Sequence, residues 1–172
     1  MKDDTFSLVE HIIDLADFDE YDRDMGTSGL CATFAMALKA AFPSLRYELL
    51  CHADENGNPR MAKDGDPVWR HAVVRDDEGR IFDVDGKVAM DDIIVNYCWD
   101  NPKHTGGVLL AVDDVEFRRI IMADRKSFDD RYFAKWSQMI ADAKEIFDAT
   151  SAVSKTPADV LADVERQGFQ PA

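Results

Sequence analysis

Residues 29–43 read Gly29-Leu30-Cys31-Ala32-Thr33-Phe34-Ala35-Met36-Ala37-Leu38-Lys39-Ala40-Ala41-Phe42-Pro43. Small residues and strong helix formers fill 31–41, and Pro43 cannot continue a helix, so the stretch predicts a buried central helix starting abruptly at Leu30 or Cys31. The segment before it, 17–29, mixes acidic residues with Gly26, Thr27, Ser28 and Gly29, a composition that predicts a loop able to bring backbone close to another element. Cys31 is therefore expected on the first turn of a buried helix.

Outward from this helix the pattern alternates between short elements and turns. On the N-terminal side, Phe6, Val9, Ile12, Ile13 and Ala16 recur at helical spacing over 5–18, with Asp3 or Asp4 as the cap. On the C-terminal side, Leu45, Tyr47 and Leu49 alternate with Arg46, Glu48 and Leu50 as in a strand. Asn56-Gly57, Pro59, Gly65 and Pro67 then mark 53–67 as a long polar loop, expected to face substrate. Strands follow over 68–75 and 80–85. The intervening Asp76-Asp77-Glu78-Gly79 suits a type I turn closed by a glycine bulge, which makes the pair a hairpin. A helical turn over 91–97, a strand over 107–112 and helices over 113–123 and 128–149 complete the run. A last short helix is expected over 158–167, with Pro157 in its first turn and Thr156 as its cap. The whole predicts one α+β domain over 1–172: a central helix packed on an antiparallel sheet of about four strands, with 126–172 as a helical C-terminal extension.

Composition narrows the function classes. The 172 residues carry 20 Lys and Arg against 34 Asp and Glu, a net charge of −14 that opposes generic attraction to nucleic acid or to anionic lipid. No apolar run approaches the ~20 residues needed to span a bilayer. The beginning Met1-Lys2-Asp3-Asp4 lacks a basic start followed by an apolar block, so a cytoplasmic protein is expected. Three scattered cysteines, Cys31, Cys51 and Cys98, read as free thiols rather than a disulfide framework.

Cys31 carries the chemical interest. A helix N-terminus presents unpaired N–H groups and positive potential, which lower a thiol pKa from its reference value of about 8.5 and place a nucleophile there. The plainer alternative is a small buried hydrophobe at a helix start. The second element is Trp69-Arg70-His71-Ala72-Val73-Val74, a histidine on an otherwise apolar strand. In the bulged hairpin register Asp76 faces Arg80, so Val73 faces Asp83 and His71 faces Asp85, and the polar three share one sheet face. A carboxylate on one imidazole nitrogen fixes the tautomer and leaves the other nitrogen to take a proton from a thiol. The alternative is a surface hairpin whose His and Asp merely meet water.

Gly29-Leu30-Cys31-Ala32-Thr33-Phe34-Ala35, His71-Ala72-Val73-Val74 and Gly79-Arg80-Ile81-Phe82-Asp83-Val84-Asp85-Gly86 together resemble the papain-like cysteine peptidase superfamily, including its transglutaminase-like members. The resemblance covers about residues 26–86. It implies a helix whose N-terminus meets an antiparallel sheet, and acyl transfer without a cofactor. The substrate would be a peptide, a protein or a small amide. Carried over by position, Cys31 is the nucleophile, His71 the general base and acid, and Asp83 the orienting carboxylate, with Asp85 as its rival. Papain-like enzymes often supply an oxyanion donor from a glutamine shortly before the cysteine. This chain has Met25 and no upstream Gln, so the Cys31 N–H would be joined by Thr27, Ser28 or a loop N–H, with Trp69 in the substrate cleft.

Other constellations are weaker. Cys51-His52 with Cys98 and His104 lacks paired zinc-ligand spacing, and the aspartate-rich segments at 54–59 and 83–86 lack the EF-hand pattern, so no metal is expected. Trp69, Trp99 and Trp136 could line a substrate cleft, although aromatics at these spacings more often belong to a core, and His11 and His104 read as ordinary surface or helix residues. The competing reading of the whole is a catalytically inactive acidic module on the same scaffold that engages a basic partner protein. A further possibility is an assembly protein using 128–149 as its partner surface.

Overall fold

A computed structural model describes residues 7–100, 106–124 and 126–153 of the chain. Helix α1 (Leu8–Leu15) is capped by Ser7, whose Oγ accepts from the Glu10 N–H at 3.4 Å. It is thus shorter at both ends than the spacing over 5–18 suggests, and the proposed caps Asp3 and Asp4 lie outside the described residues. The expected loop over 17–29 is in large part a helix, α2 (Glu20–Ser28). Asp19 caps it by accepting from the Asp22 N–H at 2.7 Å, and Glu20 and Asp22 place negative charge on its positive end.

The two buried positions of α2, Asp22 and Gly26, stand four apart and so share a face. A Cβ at Gly26 would come within 2.8 Å of Val84 Cγ1, so glycine permits the close approach of α2 to the turn carrying Val84. Asp22 ties α2 to a distant helix, its Oδ1 accepting from the Trp136 Nε1–H at 3.0 Å and from the Lys135 ammonium.

Helix α3 (Cys31–Ala41) follows the sequence expectation, and residues 31–38 are all buried. The sheet has five strands rather than about four: β1 (Arg46–His52), β2 (Trp69–Arg75), β3 (Ile81–Asp83), β4 (Gly86–Val88) and β5 (Gly107–Val112). Their order is β4-β3-β2-β1-β5, and every adjacent pair is antiparallel. The expected strand over 80–85 splits because Val84 and Asp85 form a tight turn, after which Gly86 adopts φ +98° and the chain returns as β4. The β2–β3 hairpin has the anticipated register, Val74 opposite Phe82 and Arg75 opposite Ile81, with Gly79 at φ +83° closing its turn.

One face of the sheet packs against α1 and α3, and the long helix α6 (Asp130–Val153) packs on these two helices, so that Ile12, Phe34, Leu38, Leu49, Val74 and Trp136 are fully or almost fully buried. The expected C-terminal extension is therefore part of the core as far as α6, since Trp136, Ile140 and Ala143 are buried in it. The expected helix over 158–167 lies outside the described residues. A smaller core joins Leu50, Val73 and Ile81 to Ile93 and Cys98 at α4 (Met90–Tyr97). Within the larger core, α5 (Asp114–Ala123) lays Phe117 on Tyr47 with ring centroids 3.9 Å apart. No helix among the described residues is long and apolar enough to cross a membrane.

The Asp22 tie makes a specific demand on stability. Asp22→Ala leaves the buried Trp136 N–H without an acceptor and is expected to cost about 2–3 kcal/mol, lowering the urea midpoint, whereas Asp22→Asn keeps an acceptor and recovers most of the loss. Equal midpoints for the wild type and the alanine variant would show that the tie carries no stability.

Candidate active site

The site begins with the hairpin register. Continuing the observed β2–β3 pairing by one step sets Val73 opposite Asp83, and His71 lies two residues further along the same face of β2. The diagonal distance suits a long polar side chain: the His71 Nε2–H donates to Asp83 Oδ2 at 3.0 Å, and both residues are buried. The other oxygen, Asp83 Oδ1, accepts from the Asp85 N–H at 2.9 Å, so the tight turn after β3 holds the carboxylate from behind. Asp85 turns outward to Arg23 at 3.4 Å, with about half its side chain exposed. Of the two carboxylates the sequence offered, Asp83 is the one bonded to His71.

With Nε2 engaged, His71 Nδ1 is buried and has no hydrogen-bond partner. The Cys31 side chain is nevertheless close enough to the imidazole to act on it by hydrogen bonding and by charge. Burial alone would push the His71 pKa down. The Asp83 hydrogen bond, the Cys31 sulfur and the charges of both outweigh it, and the pKa is raised to about 9. Tyr97, at the end of α4, covers the ring, stacking on the imidazole with centroids 3.9 Å apart and planes 6° from parallel. Its phenol is itself raised by burial and by the negative charges of Asp83, Cys31 and Asp85. Sequence reasoning missed Tyr97, because a tyrosine closing a short helix gives no sign of what it covers.

Cys31 opens onto a cleft of about 830 Å³. The end of α2 contributes Thr27, Ser28 and Gly29, β2 contributes Trp69 and Arg70, and α4 with its following residues contributes Tyr97 and Trp99. The segment between α5 and α6 is fastened over the start of α3, where the Thr33 hydroxyl donates to Ser127 O at 3.1 Å and accepts from the Asp129 N–H at 3.2 Å. The first N–H groups of α3, which no helix pairs internally, lie at this end. Thr27 and Ser28 line the cleft, and their hydroxyls donate to α2 carbonyls, Thr27 to Arg23 O at 2.9 Å and Ser28 to Asp24 O at 2.6 Å.

Several expectations about the surroundings change. The loop over 53–67 folds on itself through the bridges Ala53–Pro59 and Met61–Pro67, and none of its residues lines the cleft. Trp136 is core as anticipated, but Trp99 is 74% exposed and stands at the cleft, where a large aromatic meets solvent. The remaining thiols are poor nucleophiles: burial pushes Cys51 up to about 12, and burial also raises Cys98. Among the described residues no three His, Cys, Asp or Glu side chains are grouped to hold a metal ion, and His104 lies outside them. Instead His52 pairs through Nε2 with Asp100 at 3.2 Å.

No protein-family model matches the chain, and neither a curated protein nor a solved structure is significantly similar to it.

The raised His71 pKa has a definite sign in stability. Because the folded value of about 9 exceeds the ordinary 6.5, the stabilisation is fully present below pH 6.5, declines above it and is gone once pH passes 9. Its size is about 3 kcal/mol. The stability difference between wild type and Asp83→Asn, measured by urea unfolding, is expected to be largest near pH 6 and to shrink towards pH 9.5. A difference independent of pH would contradict a charged His71–Asp83 pair.

Proposed function

We propose that the protein carries out thiol-dependent acyl transfer on a papain-like α+β scaffold, with Cys31 as nucleophile, His71 as acid and base, and Asp83 as the carboxylate that orients it. One observation carries this reading: a buried histidine is bonded at Nε2 to a carboxylate that the next turn holds in place, its Nδ1 lacks a partner, and a cysteine at a helix start acts on it beside an open cleft. A surface hairpin gives no reason to bury such a pair, since a buried charge without a functional or structural return costs several kcal/mol.

In this reading the proton of the Cys31–His71 pair rests on the imidazole, and the sulfur attacks the carbonyl carbon of an amide, isopeptide or thioester. The carbonyl electron pair moves to oxygen, where the Cys31 N–H donates to it. Collapse expels the amine or thiol leaving group, which takes the proton from His71 and leaves an S-acyl enzyme. Water or an incoming amine then gives its proton to His71 and attacks the acyl carbon, and the Cys31 sulfur departs with its bonding pair, which restores the starting pair. Tyr97 confines the imidazole plane throughout. The chemistry requires no cofactor.

A second reading, an inactive acidic module that binds a basic protein, draws on the net charge of −14 and on the hydroxyls of Thr27 and Ser28 being spent on their own helix. Iodoacetamide labelling resolved by mass spectrometry separates the two. At pH 7 Cys31 is expected to react at least ~10-fold faster than Cys51 and Cys98, and His71→Ala is expected to remove that advantage. Cys31 reacting no faster than the other two would overturn the catalytic reading in favour of the binding module.

A further inference from the structure

Arg70 has an unusual station next to His71. The β1–β2 register slips between Leu50, opposite His71, and Cys51, opposite Trp69, so Arg70 is the extra residue of a bulge. Such bulges re-aim side chains. The guanidinium is anchored twice, Nε donating to Tyr97 O at 3.4 Å and Nη2 to the Asp100 carboxylate, which also holds the buried His52. The Nη1 hydrogens have no protein acceptor among the described residues, 40% of the side chain is exposed, and Arg70 lines the cleft with Cys31.

Two cations, Arg70 and Lys126, and two carboxylates, Asp85 and Asp124, line the cleft. Lys126 also lines it and has no ion pair among the described residues. Of the two cleft carboxylates, Asp85 is paired with Arg23 and Asp124 accepts from the Ser127 hydroxyl at 2.6 Å. A planar guanidinium fixed on one side and open on the other is a carboxylate receptor. In a chain of net charge −14 the surface at large repels anions, so a carboxylate would be accepted only where such donors are fixed.

We infer that Arg70, assisted by Lys126, selects acyl substrates carrying a free carboxylate close to the carbonyl that Cys31 attacks: acidic peptides or small amides of carboxylic acids. This rests on the thiol chemistry proposed above, and the test separates the two. Iodoacetate and iodoacetamide alkylate a thiolate by the same step, in which the sulfur–carbon bond forms as iodide leaves, and they differ only in carboxylate against amide. The ratio of their rates at Cys31, relative to the same ratio for glutathione, is expected to exceed one. It should fall about threefold or more in Arg70→Gln, less in Lys126→Gln, and be only partly kept in Arg70→Lys, which retains the charge but loses the planar fork. In the wild type, succinate is expected to slow iodoacetamide labelling of Cys31 and neutral succinamide is not, a readout that needs no variant. A ratio unchanged in Arg70→Gln, or equal effects of succinate and succinamide, would overturn the carboxylate specificity and leave the thiol reading standing. A Cys31 inert to both reagents would overturn both.

Discussion

The buried hydrogen bond from His71 to Asp83 is the constraint around which the neighbouring elements are arranged. An imidazole and a carboxylate taken out of water lose hydration, and the loss is tolerable only if each finds fixed partners. The hairpin register supplies the first partner by setting the two side chains on one face, and the Asp85 N–H supplies the second. The tight turn that offers this N–H is in turn pressed by α2 at Gly26, where no larger residue fits without displacing Val84. Tyr97 closes the pair from α4. Four separate elements thus converge on one interaction, and its remaining open valence is His71 Nδ1, on a ring that the Cys31 sulfur influences.

That convergence explains why the N-terminus of α3 is held so firmly. It lacks a side-chain cap, since Leu30 occupies the cap position, so its leading N–H groups are not consumed by the helix's own sequence. Thr33 instead binds the segment before α6 through its hydroxyl, and α6 binds α2 through Asp22. The elements around Cys31 are therefore fixed to one another through buried polar contacts, while the cleft itself stays lined by aromatic and charged side chains that meet solvent. Rigid support beneath an open surface is what positioning a reactive group demands.

The sequence disclosed the parts of this arrangement that are local. The helix-forming run ending at Pro43 located α3 and put Cys31 on its first turn, and the glycine bulge at Gly79 set a register that brings His71 and Asp83 together. What it could not disclose depends on contacts distant in the chain. Gly26, Thr27 and Ser28 read as a loop, yet Asp19 caps that stretch and Asp22 anchors it to Trp136, over a hundred residues away. Asp83 and Asp85 have the same strand parity, so only the turn, which sends one inward and the other to Arg23, distinguishes them. Tyr97 ends a short helix and Trp99 lies just after it, and the packing of this segment decides which aromatic covers the histidine and which is exposed at the cleft.

The central claim is that Asp83 and Cys31 together hold a proton on His71 at neutral pH. It is tested most directly by histidine ring-nitrogen NMR across a pH titration of the wild type and Cys31→Ala. The account requires a doubly protonated His71 at pH 7.5 that loses its proton near 9, with the midpoint falling in Cys31→Ala. A His71 that titrates near the ordinary value of about 6.5 in both proteins would contradict it.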